Sequence, residues 1–200
     1  MTKEEVLISM RNNLSPKRVD HIIGVVETAK QLAERYGIDP ERAEWAALLH
    51  DFYKWADKDA YREAVEKTIA SSDLKLDRAT LESQELSHGW MAAHYLESAL
   101  GFDDEEIYYA VATHTTGRPG MSSLEKIIYM ADRVEPGRTQ PGTEQLRKLV
   151  FQDLDRAVYV AMNQTLEYLI QNHQYIHPRT LDARNDLWRN ITRRKERIEG

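Results

Sequence analysis

The stretch SPKRVDHIIGVVETAKQLAERYGIDPERAEWAALLHD, residues 15–51, decides how this chain folds. Ser15 followed by Pro16 has the chemistry of a helix start: the hydroxyl accepts a free backbone N–H, and proline's fixed φ and missing N–H suit the first turn. Val19, Ile22, Ile23, Val26, Ala29, Ala33 and Tyr36 then recur at helical spacing up to Gly37, a residue that closes helices in the left-handed conformation. Asp39-Pro40 repeats the start signal, and Ala43, Ala46, Ala47 and Leu48 carry the next helix to the dipeptide His50-Asp51. The first helix is a core helix. The second delivers that dipeptide.

Outward from this pair, start and stop signals predict helices from Asp59 to about Ala70, Ser87 to Leu100 with Gly101 as stop, Asp104 to Thr113, and Ser123 to about Val134. Two longer ones follow, Leu154 to Asn172 and Thr180 to Arg197. No sustained period-2 alternation and no Asn-Gly or Asp-Gly turn occurs, so the expected class is all-α. Pro136, Gly137, Pro141 and Gly142 mark Glu135 to Thr143 as a loop. The last helices alone would make a poor core, so the expectation is one domain over residues 1–200, with a site-bearing core at 15–140 and helices at 143–200 packed on it. Their amphipathic pattern fits covering the site, building a homodimer interface or completing the core.

A 42% hydrophobic composition over 200 residues supports a sizeable core. No apolar run approaches the roughly 20 residues that cross a bilayer. Lys3, Glu4, Glu5 and Arg11 interrupt the N-terminus, which does not read as a secretory signal, so the expected compartment is the cytoplasm. With no cysteine, disulfides, thiolate ligands and cysteine nucleophiles are excluded. A net charge of -6 argues against a nucleic-acid partner, and the basic cluster Arg193, Arg194, Lys195 and Arg197 reads as a solvated helix end.

Chemistry therefore falls to histidines and carboxylates on apolar faces, where an unpaired polar group is costly. His21 shares a side with Val25, Thr28 and Leu32; His50 ends the run Ala46-Ala47-Leu48-Leu49; His88 follows a candidate N-cap, Ser87; His114 follows Ile107, Ala110 and Val111 at helical spacing. Asp132 lies in the apolar run from Ile127 to Ala131 and needs a metal, an arginine such as Arg133, or backbone donors. For adjacent His50 and Asp51 to converge on one ion, the backbone must turn there. Together these residues offer nitrogen and carboxylate ligands from several helices, a set that suits divalent iron, manganese, cobalt or zinc better than magnesium or calcium. His94, His173 and His177 fall outside the set as structural or surface residues. Trp45, Trp55, Trp90, Tyr109 and Tyr129 are expected to pack.

The order His21, His50-Asp51, Asp132 resembles the HD phosphohydrolase superfamily, and the strings HDFYK, SHG, HTTG and ADRVEPGR resemble its bacterial YqeK family. The resemblance covers at least residues 15–140. It implies an HD-type helical bundle that hydrolyses diadenosine tetraphosphate to two ADP molecules with bound iron and metal-activated water. Manganese or cobalt are the alternatives, as one ion or two. His21, His50, Asp51 and Asp132 would hold the first ion, with Asp51 free to bridge. His88 and His114 would either ligate a second ion or bind phosphate and act as acid or base. Lys54, Arg133 and Arg138 are phosphate-clamp candidates, and Thr115, Thr116 and Gly117 directly follow His114, where hydroxyls and a small residue can approach phosphate. Two other readings stay open: a phosphohydrolase of nucleoside monophosphates, deoxynucleotides or alarmones, and a non-enzymatic nucleotide sensor.

Overall fold

Side-chain caps start most of the helices. Thr2 and Glu5 form a reciprocal capping box on α1 (Lys3–Asn13). The Ser15 hydroxyl accepts the Arg18 N–H at 3.3 Å to begin α2 (Pro16–Tyr36), which closes on Gly37 at φ +68°. The Asp39 carboxylate accepts the Glu41 N–H at 2.9 Å to begin α3 (Pro40–Leu49). The computed structural model describes residues 2–55 and 57–199. It continues with α4 (Lys58–Ser71), α5 (Arg78–Leu81), α6 (Gln84–Leu100), α7 (Glu105–Ala112), α8 (Ser123–Val134), α9 (Thr143–Val150), α10 (Leu154–Gln171) and α11 (Pro178–Glu199). Among the described residues there is no strand, so the all-α expectation holds.

Helix α2 lies between α3 and α8, α7 bridges α3, α6 and α8, and α10 packs against α8, α9 and α11. Most of the apolar stripe read from the sequence turns inward and explains this placement, although Ile23 is 39% exposed while Val25 and Leu32, on the side of His21, are wholly buried. Ile22, Ala29, Leu32 and Ala33 of α2 are wholly buried against Ala43, Ala46, Ala47 and Leu49 of α3 and Ile127, Ile128 and Ala131 of α8. The small alanines of α3 let its backbone approach α2 closely, which brings its C-terminal end into the middle of the molecule. Ala157, Val158, Ala161 and Met162 of α10 and Ala183 and Leu187 of α11 join the same apolar cluster. The C-terminal helices thus complete the core that α2, α3 and α8 begin.

Several boundaries differ from the sequence reading. Helix α6 starts at Gln84, so Ser87 is not a cap: its hydroxyl donates to the Ser83 carbonyl at 2.8 Å, inside the helix, and is buried against Tyr61. Helices α1, α5 and α9 were not expected. Helix α1 buries only Val6 and Met10, α5 is four residues long, and α9 starts on Gly142 at φ +86° with no side-chain cap. The aromatic residues pack as expected, with Trp45 edge-on to Phe102 and Tyr53 stacked on Trp55.

His177 is structural and buried. It accepts the Arg179 N–H on Nδ1 at 3.2 Å, which leaves Nε2–H to face Asp77 and Thr80, each at 3.2 Å, and so joins the start of α11 to α5. Asp77 also accepts the Thr80 N–H at 2.9 Å as N-cap of α5. Backbone and side-chain hydrogen bonds from Thr80, with His177 beside them, hold the Asp77 carboxyl down at about 2, against an ordinary 3.8. Loss of such a cap costs about 1 kcal/mol. Asp77→Ala is therefore expected to lower urea-unfolding stability by about that amount at pH 7. A depressed carboxyl stabilises fully above its unfolded value, so the gap between wild type and variant should persist down to about pH 4 and close as pH falls through about 2.

Candidate metal centre

Five elements deliver side chains to one buried point. His50 caps α3 in helical conformation, and the chain keeps turning: the Phe52 N–H reaches the Leu49 carbonyl at 3.1 Å and the Lys54 N–H reaches that of Asp51 at 2.9 Å. That turn lets His50 and Asp51 both face inward. His21 comes from α2, His88 from α6, His114 from the turn after α7, and Asp132 from α8.

The tautomers follow from what lies behind each ring. A carbonyl only accepts, so Nδ1 carries the hydrogen in His50 (2.6 Å to the Ala47 carbonyl), His88 (2.8 Å to Gln84) and His114 (2.8 Å to Val111). His21 Nδ1 lies 3.0 Å from Glu135 Oε1. All four rings therefore turn Nε2 toward the same volume. Asp51 Oδ1 is 2.9 Å from Nε2 of His88 and 3.7 Å from that of His114, while its Oδ2 is 3.7 Å from His50 Nε2 and 3.9 Å from His21 Nε2. Asp132 Oδ1 is 3.0 Å from His21 Nε2 and 4.0 Å from His50 Nε2. Asp51 faces both halves of the cluster.

Burial pushes both carboxyls up, but the surrounding cationic and hydrogen-bonding groups prevail and hold each well below the usual range. These are His50, His114 and His88 for Asp51, and His21, His50 and Arg138 for Asp132. Burial takes His50 down to about 4 and lowers His88 as well. For His21 the opposing effect of Asp132 and Glu135 outweighs burial and raises it.

Two features of this arrangement call for a cation. His50 Nε2 is fully buried without a hydrogen-bond partner, its lone pair directed at two carboxylates that only accept. His88 Nε2 and His114 Nε2 approach to 3.0 Å with Nδ1 already protonated on both, so a proton or metal must separate their lone pairs. Ligand atoms of His21, His50 and Asp132 lie within 4.8 Å of one another, as do those of His50, Asp51 and His114. Imidazole and carboxylate donors of this kind fit a divalent transition metal.

The remaining sequence candidates separate. Arg138 donates to Asp132 Oδ1 at 2.5 Å and to the Asp132 carbonyl at 2.7 Å, and so supplies the arginine partner that Arg133 was weighed for. Arg133 instead lies over the Tyr129 ring, 5.0 Å from its centre. Lys54 pairs with Glu85 at 2.6 Å, close enough for its charge to act on His88. The Thr115 hydroxyl is 3.3 Å from His114 Nε2, whereas the buried Thr116 hydroxyl donates to the Gly117 carbonyl at 2.9 Å. Gly117, at φ +67°, is enclosed by Met162, Met121 and Ala183.

Sequence reasoning passed over Arg18, whose Nη1 donates to Asp51 Oδ2 at 2.7 Å; its position one helical turn before His21 was the available signal. It also passed over Glu135 behind His21, and Arg147 of α9, which donates to the carbonyls of Val134 (2.8 Å), Glu135 (2.8 Å) and Arg138 (2.7 Å). Only the string ADRVEPGR, on the α8 side, pointed toward these contacts.

Known proteins share sequence and fold with this chain. Residues 18–137 match the family described as HD domain. A Halalkalibacterium halodurans protein named symmetrical bis(5'-nucleosyl)-tetraphosphatase is 37% identical over 187 residues, covering 94% of this chain and 97% of its own length. A Bacillus subtilis protein of the same name is 37% identical over 180 residues, covering 90% of this chain and 94% of its own. Among solved structures, a Clostridium acetobutylicum HD superfamily hydrolase, described as involved in NAD metabolism, superposes with a TM-score of 0.87 at 35% identity, covering 95% of this chain and 98% of that one.

Since a bound ligand stabilises only the folded state, manganese or cobalt at 100 times its dissociation constant should add about 2.7 kcal/mol. A rise in Tm on adding either ion is expected for the wild type, and none for His50→Ala. Circular dichroism checks that the variant's helices persist.

Proposed function

The chain belongs to the HD domain family, and on that premise we propose that it hydrolyses diadenosine tetraphosphate, and dinucleoside polyphosphates like it, symmetrically to two ADP molecules. The observation that carries the reading is the buried, unpartnered His50 Nε2, set among carboxylates and imidazoles that a divalent ion would join. In the reaction water adds across the central phosphoanhydride: the bond between the second and third phosphates breaks, one ADP gains the water oxygen and the other leaves with a proton.

His21, His50, Asp51 and Asp132 would hold the ion, with His88 and His114 as ligands of a second. A divalent metal in such a set supplies Lewis acidity toward a phosphoryl oxygen and toward water. The rest falls to the chain's own side chains. Arg18 and Arg138 stand at the rim, about a third exposed, over a floor of His50, Asp51 and His88 that is almost wholly buried. Their planar forks suit phosphate oxygens, and Lys54 adds positive charge on the His88 side. Thr115 offers a hydroxyl beside His114. With a single ion bound, His88 Nε2 and His114 Nε2 share one proton, available to the departing ADP oxygen. The reading extends to iron as the native metal, with manganese or cobalt as substitutes, and to a cytoplasmic enzyme that forms homodimers and binds no nucleic acid.

The test is metal analysis of protein purified without chelator, paired with chromatography of products from diadenosine tetraphosphate. ADP alone is expected; AMP with ATP would overturn the symmetrical reading. NAD belongs in the substrate panel because of the Clostridium acetobutylicum neighbour's description. Hydrogen bonds to charged groups contribute about 1.5–3 kcal/mol, so Arg18→Ala and Arg138→Ala should each lower kcat/KM, measured at saturating metal, roughly 10- to 100-fold.

A further inference from the structure

Glu135 lies behind the cluster rather than in it, and it is buried to 4% exposure. Every polar atom it has is tied down. Its N–H reaches the Ala131 carbonyl at 3.0 Å and its carbonyl accepts Arg147 Nη2 at 2.8 Å. Its Oε2 accepts the Gly137 N–H at 2.5 Å, and its Oε1 faces His21 Nδ1 at 3.0 Å. Space for this carboxylate is made inside α2: a Cβ at Gly24 would stand 2.7 Å from Glu135 Oε2. Glycine in a helix interior costs about 0.5–1 kcal/mol relative to alanine, so its presence in the middle of α2 needs a local reason, and the seat of Glu135 is one.

We propose that Glu135 is a positioning residue for the metal centre: it fixes His21 with the hydrogen on Nδ1, so that the Nε2 lone pair faces Asp132 and His50, and Gly24 exists to let it do so. The inference rests on the reading of the cluster as a metal site. His50, His88 and His114 hold the same orientation through backbone carbonyls. His21 has a carboxylate in that role, and a charged acceptor binds the imidazole N–H more strongly and makes the opposite nitrogen a better donor to a metal.

The arrangement makes Glu135→Gln informative although it barely changes shape. Both carboxylate oxygens accept N–H groups, and an amide has only one oxygen. If that oxygen stays on the Gly137 N–H, the NH2 group meets His21 Nδ1 and drives the hydrogen to Nε2, the ligand atom. If it turns to His21, the Gly137 N–H loses its acceptor. Gly24→Ala displaces the same carboxylate without altering it, and alanine's helix propensity works in the direction of stability.

The experiment titrates Co2+ into metal-free protein and follows its visible absorption, with circular dichroism and Tm recorded on the same samples. Outer partners of metal-bound histidines typically contribute 10- to 100-fold in affinity, so roughly that rise in the Co2+ dissociation constant is expected for both Glu135→Gln and Gly24→Ala, with an altered Co2+ spectrum. Wild-type Co2+ affinity and spectrum in either folded variant, whatever its Tm, would overturn the proposal. Failure of the wild type itself to bind Co2+ would overturn the metal-site reading on which it stands.

Discussion

Three imidazoles at the centre of the molecule give their Nδ1 hydrogens to carbonyls about one turn earlier in the chain, and the rest of the structure is arranged around what this leaves over. Each bond ties a ring to the end or first turns of its own helix, so the ring's direction is set by where that helix points. The C-terminal ends of α3 and α7 and the N-terminal turns of α6 must then meet. The alanine-rich contact of α3 with α2, and the packing of α7 on α3, α6 and α8, bring them together. Burying two carboxylates in the same place would be costly in isolation, by several kcal/mol per ion. Here each has imidazole and guanidinium partners, and the apolar helices that exclude water also strengthen those contacts.

The electrostatic layout has depth. Asp51, His50 and His88 form a floor almost sealed from solvent, whereas Arg18, Asp132 and Arg138 form a rim that is 23–31% exposed. A protein with net charge -6 can still draw in a polyphosphate if its few cations stand where the phosphates arrive, and this rim is such a place. Helix α9 takes part at one remove, because the Arg147 guanidinium grips four main-chain carbonyls of the segment that carries Glu135 and Arg138.

How much of this was legible in the sequence depended on the range of the determining interaction. Ser15-Pro16, Gly37 and Asp39-Pro40 act within a few residues, and both bounds of α2 and the start of α3 were readable to the residue. His21, His50, His88, His114 and Asp132 were visible as polar groups on apolar faces, with Asp51 beside His50, and the structure brings all six together. Helix α9 was hidden because its start lies in a Pro/Gly loop and rests on Gly142 rather than on a capping side chain. Ser87 looked like a cap because cap chemistry and the burial of a small hydroxyl inside a helix use the same residue. Glu135 and Arg147 could not be weighted, since their meaning comes from partners 114 residues away in one case and from backbone carbonyls in the other. Choosing Arg138 over Arg133 required knowing which way the chain turns after α8.

The turn that carries His114 ends on Gly117, whose N–H closes on the Thr113 carbonyl at 2.7 Å and where a Cβ would meet Met162 of α10, Met121 and Ala183 of α11. The Gly117 end of the turn is thus packed against the C-terminal helices. Elements that pack together tend to open together, so the stability of the backbone around His114 is tied to the docking of α10 and α11. Among the described residues the last quarter of the chain places no side chain in the cluster, yet it supplies packing behind the turn that carries His114.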